Sequence, residues 1–222
     1  MDYETVKAYW NQVFSAEQIL APRTKGIGNE TLDNALDWLC EGAESILDFG
    51  CGNALTLSLC ALRGTKKHMG IDLSRTGISH AAQLFGENPS LGDGTFWEGG
   101  VELLFTLHSN SMDGAILFNV ADNLLPADAA LLVKETARIL KPGGKALLKL
   151  NPHLSAEQIA AWNIKTIDDD LLDDGLFFWN KDTQFWRTFL APYYEIVHEA
   201  DVYYEEHDQH NRLFLLTARK TI

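Results

Sequence analysis

At 222 residues the chain is long enough for one sizeable core and short for two. Hydrophobic residues make up 46% and charged residues 22%, a globular balance, and no apolar run approaches the roughly 18 residues of a membrane span. The net charge of −13, from 18 Lys and Arg against 31 Asp and Glu, repels phosphate backbones and makes nucleic acid a poor partner.

The N-terminus, MDYETVKAYW, lacks the basic and apolar stretches of a secretory signal. Cys40, Cys51 and Cys60 form no CxxC pair, which fits free thiols in the cytoplasm better than disulfides or a zinc site. The opening segment is amphipathic: Val13 and Phe14 read as core residues, while Tyr9 and Trp10 read either as packing or as a lid over a ligand.

Apolar residues at helical spacing predict a helix over 31–40, stopped by Gly42. Residues 45–49 read as a buried strand and 55–62 as a helix ended by Gly64, with Lys66 and Lys67 in a turn. Residues 68–72, 94–97, 115–119 and 145–150 read as further strands, with helices around 79–85 and over 127–140 between them. Pro142-Gly143-Gly144 is expected to end the last of these helices. Such alternation argues for βαβ units and a mostly parallel sheet. Runs 195–203 and 212–218, joined by a stretch too short for a crossover helix, predict an antiparallel hairpin at the sheet edge.

Chemistry concentrates in ILDFGCGNALTLSL, residues 46–59. A strand delivers Asp48 to its C-terminal end, Gly50 and Gly52 turn the backbone toward a ligand, and a helix starts at once; open α/β sheets bind nucleotides in such crevices. Asp72, 24 residues beyond Asp48, ends the next strand where a carboxylate can meet ribose hydroxyls. A dinucleotide fingerprint wants a third small residue where this chain has Leu55, and Asp48 sits badly beside a pyrophosphate. That acid suits a cationic ligand, which disfavours an NAD-dependent oxidoreductase and favours S-adenosylmethionine.

With LDFGCG (47–52), GIDLS (70–74), SMDGAILFN (111–119) and ARILKPGG (137–144) in this order, the chain resembles class I, type 11-like methyltransferases over roughly its first 150 residues. The resemblance implies a doubly wound, Rossmann-like seven-stranded α/β sheet, mostly parallel with an antiparallel last strand, and S-adenosylmethionine as cofactor. It places Asp48, Gly50, Cys51 and Gly52 around the methionine part, Cys51 through its backbone only, and Asp72 and Leu73 at ribose and adenine. Phe118 and Asn119 match the pocket floor. The family's acid after the third strand falls here at Gly100, so adenine contacts are expected from the backbone of Gly100 and Val101, or from Glu98.

A single domain over 1–222 follows, with a helical lid (1–44), cofactor core (45–150), insertion and helix (151–191) and terminal hairpin (192–222). The acceptor is expected to be a small molecule, with no membrane or nucleic-acid partner. Besides Tyr9 and Trp10, Asp122 and Asn123 share the mouth after the fourth strand. His153 reads as a general base or as a helix-capping residue. The acidic run 168–174 ahead of Phe177-Phe178-Trp179 reads as a solvated loop followed by a packed aromatic strand, or as an amine-receiving rim beside an aromatic wall. His207 and His210 have metal-like spacing without further ligands, so no metal is expected. Rival readings are a non-catalytic protein that binds the cofactor and aminopropyl transfer from the decarboxylated cofactor.

Overall fold

A computed structural model describes residues 2–219; the last three residues of the proposed hairpin unit, 220–222, lie outside them. Helices α1 (Tyr3–Ser15) and α2 (Glu30–Cys40) precede the first strand, β1 (Ser45–Phe49). Then α3 (Leu55–Leu62), β2 (Lys67–Asp72), α4 (Arg75–Glu87), β3 (Asp93–Glu98), β4 (Met112–Phe118), α5 (Pro126–Ile139) and β5 (Leu140–Leu150) alternate in chain order. After α6 (Ala156–Ala161), β6 (Lys165–Asp168), β7 (Leu171–Asp173) and β8 (Phe177–Trp179) make a small antiparallel sheet. Helix α7 (Thr183–Leu190) and the hairpin β9 (Tyr194–Tyr204) and β10 (Gln209–Ala218) complete the chain.

The main sheet has seven strands in the order β3-β2-β1-β4-β5-β10-β9. The first five are parallel, and β10 runs antiparallel between β5 and the edge strand β9. Because side chains alternate across a strand, Leu47, Leu117 and Leu148 join α5 and α7 in one core, and Ile46, Ile116 and Leu147 join α2, α3 and α4 in the other. Two helical layers on a parallel sheet are the doubly wound arrangement, and they leave the strand ends free for a ligand.

Several sequence readings shift. Lys67 opens β2 and only Lys66 remains in the turn. Helix α5 ends at Ile139, and Leu140 already pairs with Met112. Pro142-Gly143-Gly144 therefore forms a bulge inside β5, since the next paired residues are Gly114 and Lys145. The aromatic run 177–179 is the packed strand expected, but residues before it also pair as β6 and β7 instead of forming a loop: Leu171, Phe177 and Trp179 pack on the main core, and Leu172 and Phe178 pack with Leu154 and Ile159. The Asn180 side chain fastens it by accepting from Leu154 N at 2.8 Å and donating to Leu154 O at 3.0 Å.

Candidate active site

The β1–α3 turn bends through three left-handed residues: Gly50 (φ 81°), Gly52 (φ 51°) and Ala54 (φ 61°). Gly50 and Cys51 donate their N–H groups to Ile71 O at 2.8 and 3.2 Å, which ties the turn to β2. At the end of β2 the Asp72 carboxylate accepts from Gly52 N at 2.8 Å and Ser74 N at 2.7 Å. Burial raises the Asp72 pKa against these two hydrogen bonds, which lower it. Asp48 is buried beneath the turn, and burial, with a smaller contribution from Asp72, pushes its carboxyl up to about 8. The Cys51 thiol is also buried and held well above its usual range, first by burial and then by Asp48, which leaves it inert.

These strand ends form one wall of a cavity of about 740 Å³, inside the ~300–1,000 Å³ range of small-molecule pockets. Gly50, Asp72, Leu73, Gly100, Val101, Phe118 and Asn119 all line it. Asp48, Cys51 and Gly52 lie behind the surface. Glu98 lines the cavity too, but Arg75 (2.9 Å) and Lys7 hold its carboxylate, so its pKa is lowered and its charge is already paired.

Helix α1 covers the opening. Tyr3, Lys7, Trp10 and Phe14 recur on one face and line the cavity. Three polar ties hold it down: Tyr3 Oη donates to Asp128 Oδ2 at 2.6 Å, Lys7 reaches Glu98, and Asn11 Oδ1 accepts from Ser74 Oγ at 2.8 Å and Thr76 N at 3.1 Å. Trp10 thus stands in the lid, whereas Tyr9 is exposed and lines nothing. Val13 and Phe14 are half-buried rather than core residues; Phe14 lies over Gly52.

At the other end the cavity is lined by Asn123, Asp128, Asn151 and Leu176. Asp122 does not reach it: fully buried, with its pKa pushed by burial to about 6, it accepts from Asn151 N at 2.6 Å beneath the floor. His153 is exposed and outside the lining. Asp168, Asp169, Asp170 and Asp174 are exposed as well, with Asp170 paired to Lys181, and only Leu176 of that segment meets the cavity. His210 pairs with Asp201, and no group of metal ligands occurs among the described residues. No helix among the described residues is long and apolar enough to cross a membrane.

Sequence reasoning missed Tyr3, Lys7, Phe14, Asp128 and Asn151. The spacing 3, 7, 10, 14 was a readable helical stripe. Nothing local marked Asp128 or Asn151, which only the topology brings to the site.

A family model for a methyltransferase domain matches residues 47–148. Residues 47–148 are thus a methyltransferase domain, and the sheet around them has the class I methyltransferase arrangement. The fold of this methyltransferase is similar to that of 1,6-didemethyltoxoflavin-N1-methyltransferase from Burkholderia thailandensis (12% identity, TM-score 0.71, covering 98% of this chain and 89% of that one). It is also similar to an S-adenosylmethionine-dependent methyltransferase from Clostridium acetobutylicum (15%, 0.68, 98% and 99%). The [4+2]-cyclase SpnF shares the fold (17%, 0.66, 98% and 94%), so the backbone alone does not define a reaction. No curated protein sequence matches the chain.

S-adenosylmethionine is the cofactor, and the residues present fit it. Asp72 brings a carboxylate to the cavity wall at the end of β2, Asp48 lies buried just behind that wall at the end of β1, and a Cβ added at Gly50 would meet Val120 at 3.3 Å and crowd the turn.

Proposed function

We propose that this methyltransferase methylates a small-molecule acceptor held between α1 and the loops after β4 and β5. The observation carrying this reading is the cavity itself: one volume of about 740 Å³ runs from the Asp72 end to Asn123, Asp128 and Asn151 under the same lid. Cofactor residues occupy the β1–β3 side, leaving the β4–β5 side for an acceptor.

In this reading Asp72 binds the ribose, the backbone of the Gly50–Gly52 turn and Asp48 hold the methionine part, and Leu73 and Val101 flank the adenine. Phe118 and Asn119 form the floor at the junction of the two halves. Bound S-adenosylmethionine supplies an activated methyl group on a good leaving group. The protein's contribution is alignment and exclusion of water: Trp10, Phe14 and Phe118 give apolar walls, and the ties of α1 close them. Glu4 and Asp128 at the mouth disfavour an anionic acceptor.

The Burkholderia relative is named for methylation of a small heterocycle, which supports a small acceptor without identifying it. The net charge of −13 supports the absence of a nucleic-acid partner. The test is transfer of radiolabelled methyl groups to metabolite, RNA and protein fractions of a cell extract. Label in the metabolite fraction is expected, and label confined to RNA or protein would overturn the reading.

A further inference from the structure

Three asparagines from two loops, Asn119 and Asn123 after β4 and Asn151 after β5, meet at the acceptor end of the cavity. Asn119 Nδ2 donates to Asn151 Oδ1 at 2.7 Å, and Asn151 Nδ2 donates to Asn123 Oδ1 at 2.8 Å. All three line the cavity. We propose that this amide relay is the acceptor-recognition element, and that it selects a flat, neutral molecule carrying both a hydrogen-bond donor and an acceptor, an N-heterocycle or an aromatic amide. The inference rests on the small-molecule reading above and names the class of that acceptor.

The argument is one of hydrogen-bond inventory. A side-chain amide has one carbonyl oxygen and one NH₂ group. In the relay Asn151 uses both ends internally, so the terminal residues keep one group each: Asn119 Oδ1 and Asn123 Nδ2 have no side-chain partner among the described residues. Reversing all three amides would exchange the ends and still leave one donor and one acceptor. The character of the site is therefore independent of how the amides are oriented. A ligand bearing only acceptors, or only donors, satisfies one end and strands the other.

The relay is built to stay in place. Asn151 N donates to Asp122 Oδ2 at 2.6 Å, and Asn151 O accepts from Arg212 Nε at 3.0 Å and from the second guanidinium nitrogen at 2.8 Å. Asp122 and Arg212 are thus positioning residues that hold the two peptide units flanking the Asn151 Cα. Asn119 adopts φ 52°, in the left-handed region that side chains rarely occupy, with its N–H donated to Lys149 O at 2.8 Å. The cavity that the relay lines also has the aromatic side chains Tyr3, Trp10 and Phe118 in its walls. Apolar walls with a few oriented polar groups are the usual way a pocket reads a planar ligand.

The test uses the full chain loaded with S-adenosylhomocysteine, whose binding is first confirmed by calorimetry. Two probe pairs are then compared by ligand-observed NMR titration: lumazine against 1,3-dimethyllumazine, and benzamide against N,N-dimethylbenzamide. Each pair keeps the carbonyls and loses N–H groups. The N–H form of at least one pair is expected to bind about tenfold tighter or more, since a site built around a hydrogen bond rejects analogues that leave it unmade. Asn123→Asp, which keeps size and replaces a donor by an acceptor, is expected to abolish that preference while S-adenosylhomocysteine affinity stays within about twofold. Asn151→Leu is expected to do the same by breaking the relay. Equal binding within both pairs, no binding of any probe, or a preference that survives Asn123→Asp would each overturn the inference. Failure of the broader reading looks different: S-adenosylhomocysteine does not bind, or methyl label goes only to macromolecules.

Discussion

Phe14 of the lid rests on the backbone of Gly52: a Cβ at Gly52 would lie 2.5 Å from Phe14 Cζ. The β1–α3 turn and the covering helix are therefore fitted to one another, and Gly52 is required twice, by its φ of 51° and by this contact. Gly52→Ala should cost about 1–2 kcal/mol for the left-handed conformation, plus the displacement of Phe14. Urea denaturation should show that loss, and calorimetry should show weakened S-adenosylhomocysteine binding. Adding Phe14→Leu should recover the steric part alone. A double variant with full wild-type stability would mean that the backbone conformation carries no cost.

Asp72 is the second test, at a residue that the fold itself uses. From sequence, Asp72→Ala should weaken cofactor binding and leave the fold intact. The structure changes that expectation, because the carboxylate also accepts from Gly52 N and Ser74 N. Losing it strands two N–H groups, so stability should fall by about 1–3 kcal/mol. Cofactor affinity should fall by a further ~1.5–3 kcal/mol for the charge-assisted bonds to ribose. Calorimetry at a temperature where the variant is folded separates the two effects. Unchanged affinity there would remove Asp72 from the ribose site.

What was legible in the sequence followed from local physics. Strand β1, the core of β4 and the body of β5 are apolar runs, with glycines directly after β1 and directly before the body of β5, and the hairpin has two β-rich runs around a short polar stretch. The order of the four motifs was enough to identify the fold. What was hidden depends on tertiary partners. Leu140 has helical periodicity, yet pairing with Met112 draws it into β5. The acidic 168–174 run obscured a sheet whose alternate residues, Leu171 and Phe177, are core. The Asn119–Asn151–Asn123 relay is invisible locally, since Asn151 belongs to a different βα loop from the other two.

Asp48 predicts a pH dependence. Its ordinary pKa of 3.8 rises to about 8 in the folded chain, chiefly through burial. Between those values the folded state holds a proton that the unfolded state has lost, so this residue makes stability fall as pH rises from about 4 to about 8, and level off above. Asp48→Asn should remove that slope, gaining on wild type by up to about 1.4 kcal/mol per pH unit across the window. Urea midpoints at pH 5, 6.5 and 8 check it; parallel curves would place the titration elsewhere. A cationic ligand beside Asp48 should also draw off its proton. Binding enthalpies measured in buffers of different ionisation enthalpy should then differ, with proton release.

The lid itself can be tested at Tyr3, whose hydroxyl joins α1 to α5. It donates to Asp128 Oδ2 at 2.6 Å and accepts from Leu125 N at 3.1 Å, while its ring meets Phe177 edge-on at 5.6 Å. Burial and the Asp128 hydrogen bond raise the hydroxyl's pKa, so it remains a donor throughout the working pH range. Tyr3→Phe keeps the ring against Phe177 and removes both hydrogen bonds. Half-buried as the pair is, the loss should be about 1–2 kcal/mol, felt where α1 meets the body of the protein. Lys7–Glu98 and the Asn11 contacts would still anchor the rest of the helix, so global unfolding is not expected. Instead the first turn should open more often: limited proteolysis should cut faster within residues 3–15, and bound S-adenosylhomocysteine should dissociate several-fold faster in stopped-flow measurements. Asp128→Asn, which keeps an acceptor but loses the charge, should show a smaller change in the same direction. Proteolysis and dissociation rates equal to wild type in Tyr3→Phe would show that α1 is held by packing alone and that Tyr3 and Asp128 do not control access to the cavity.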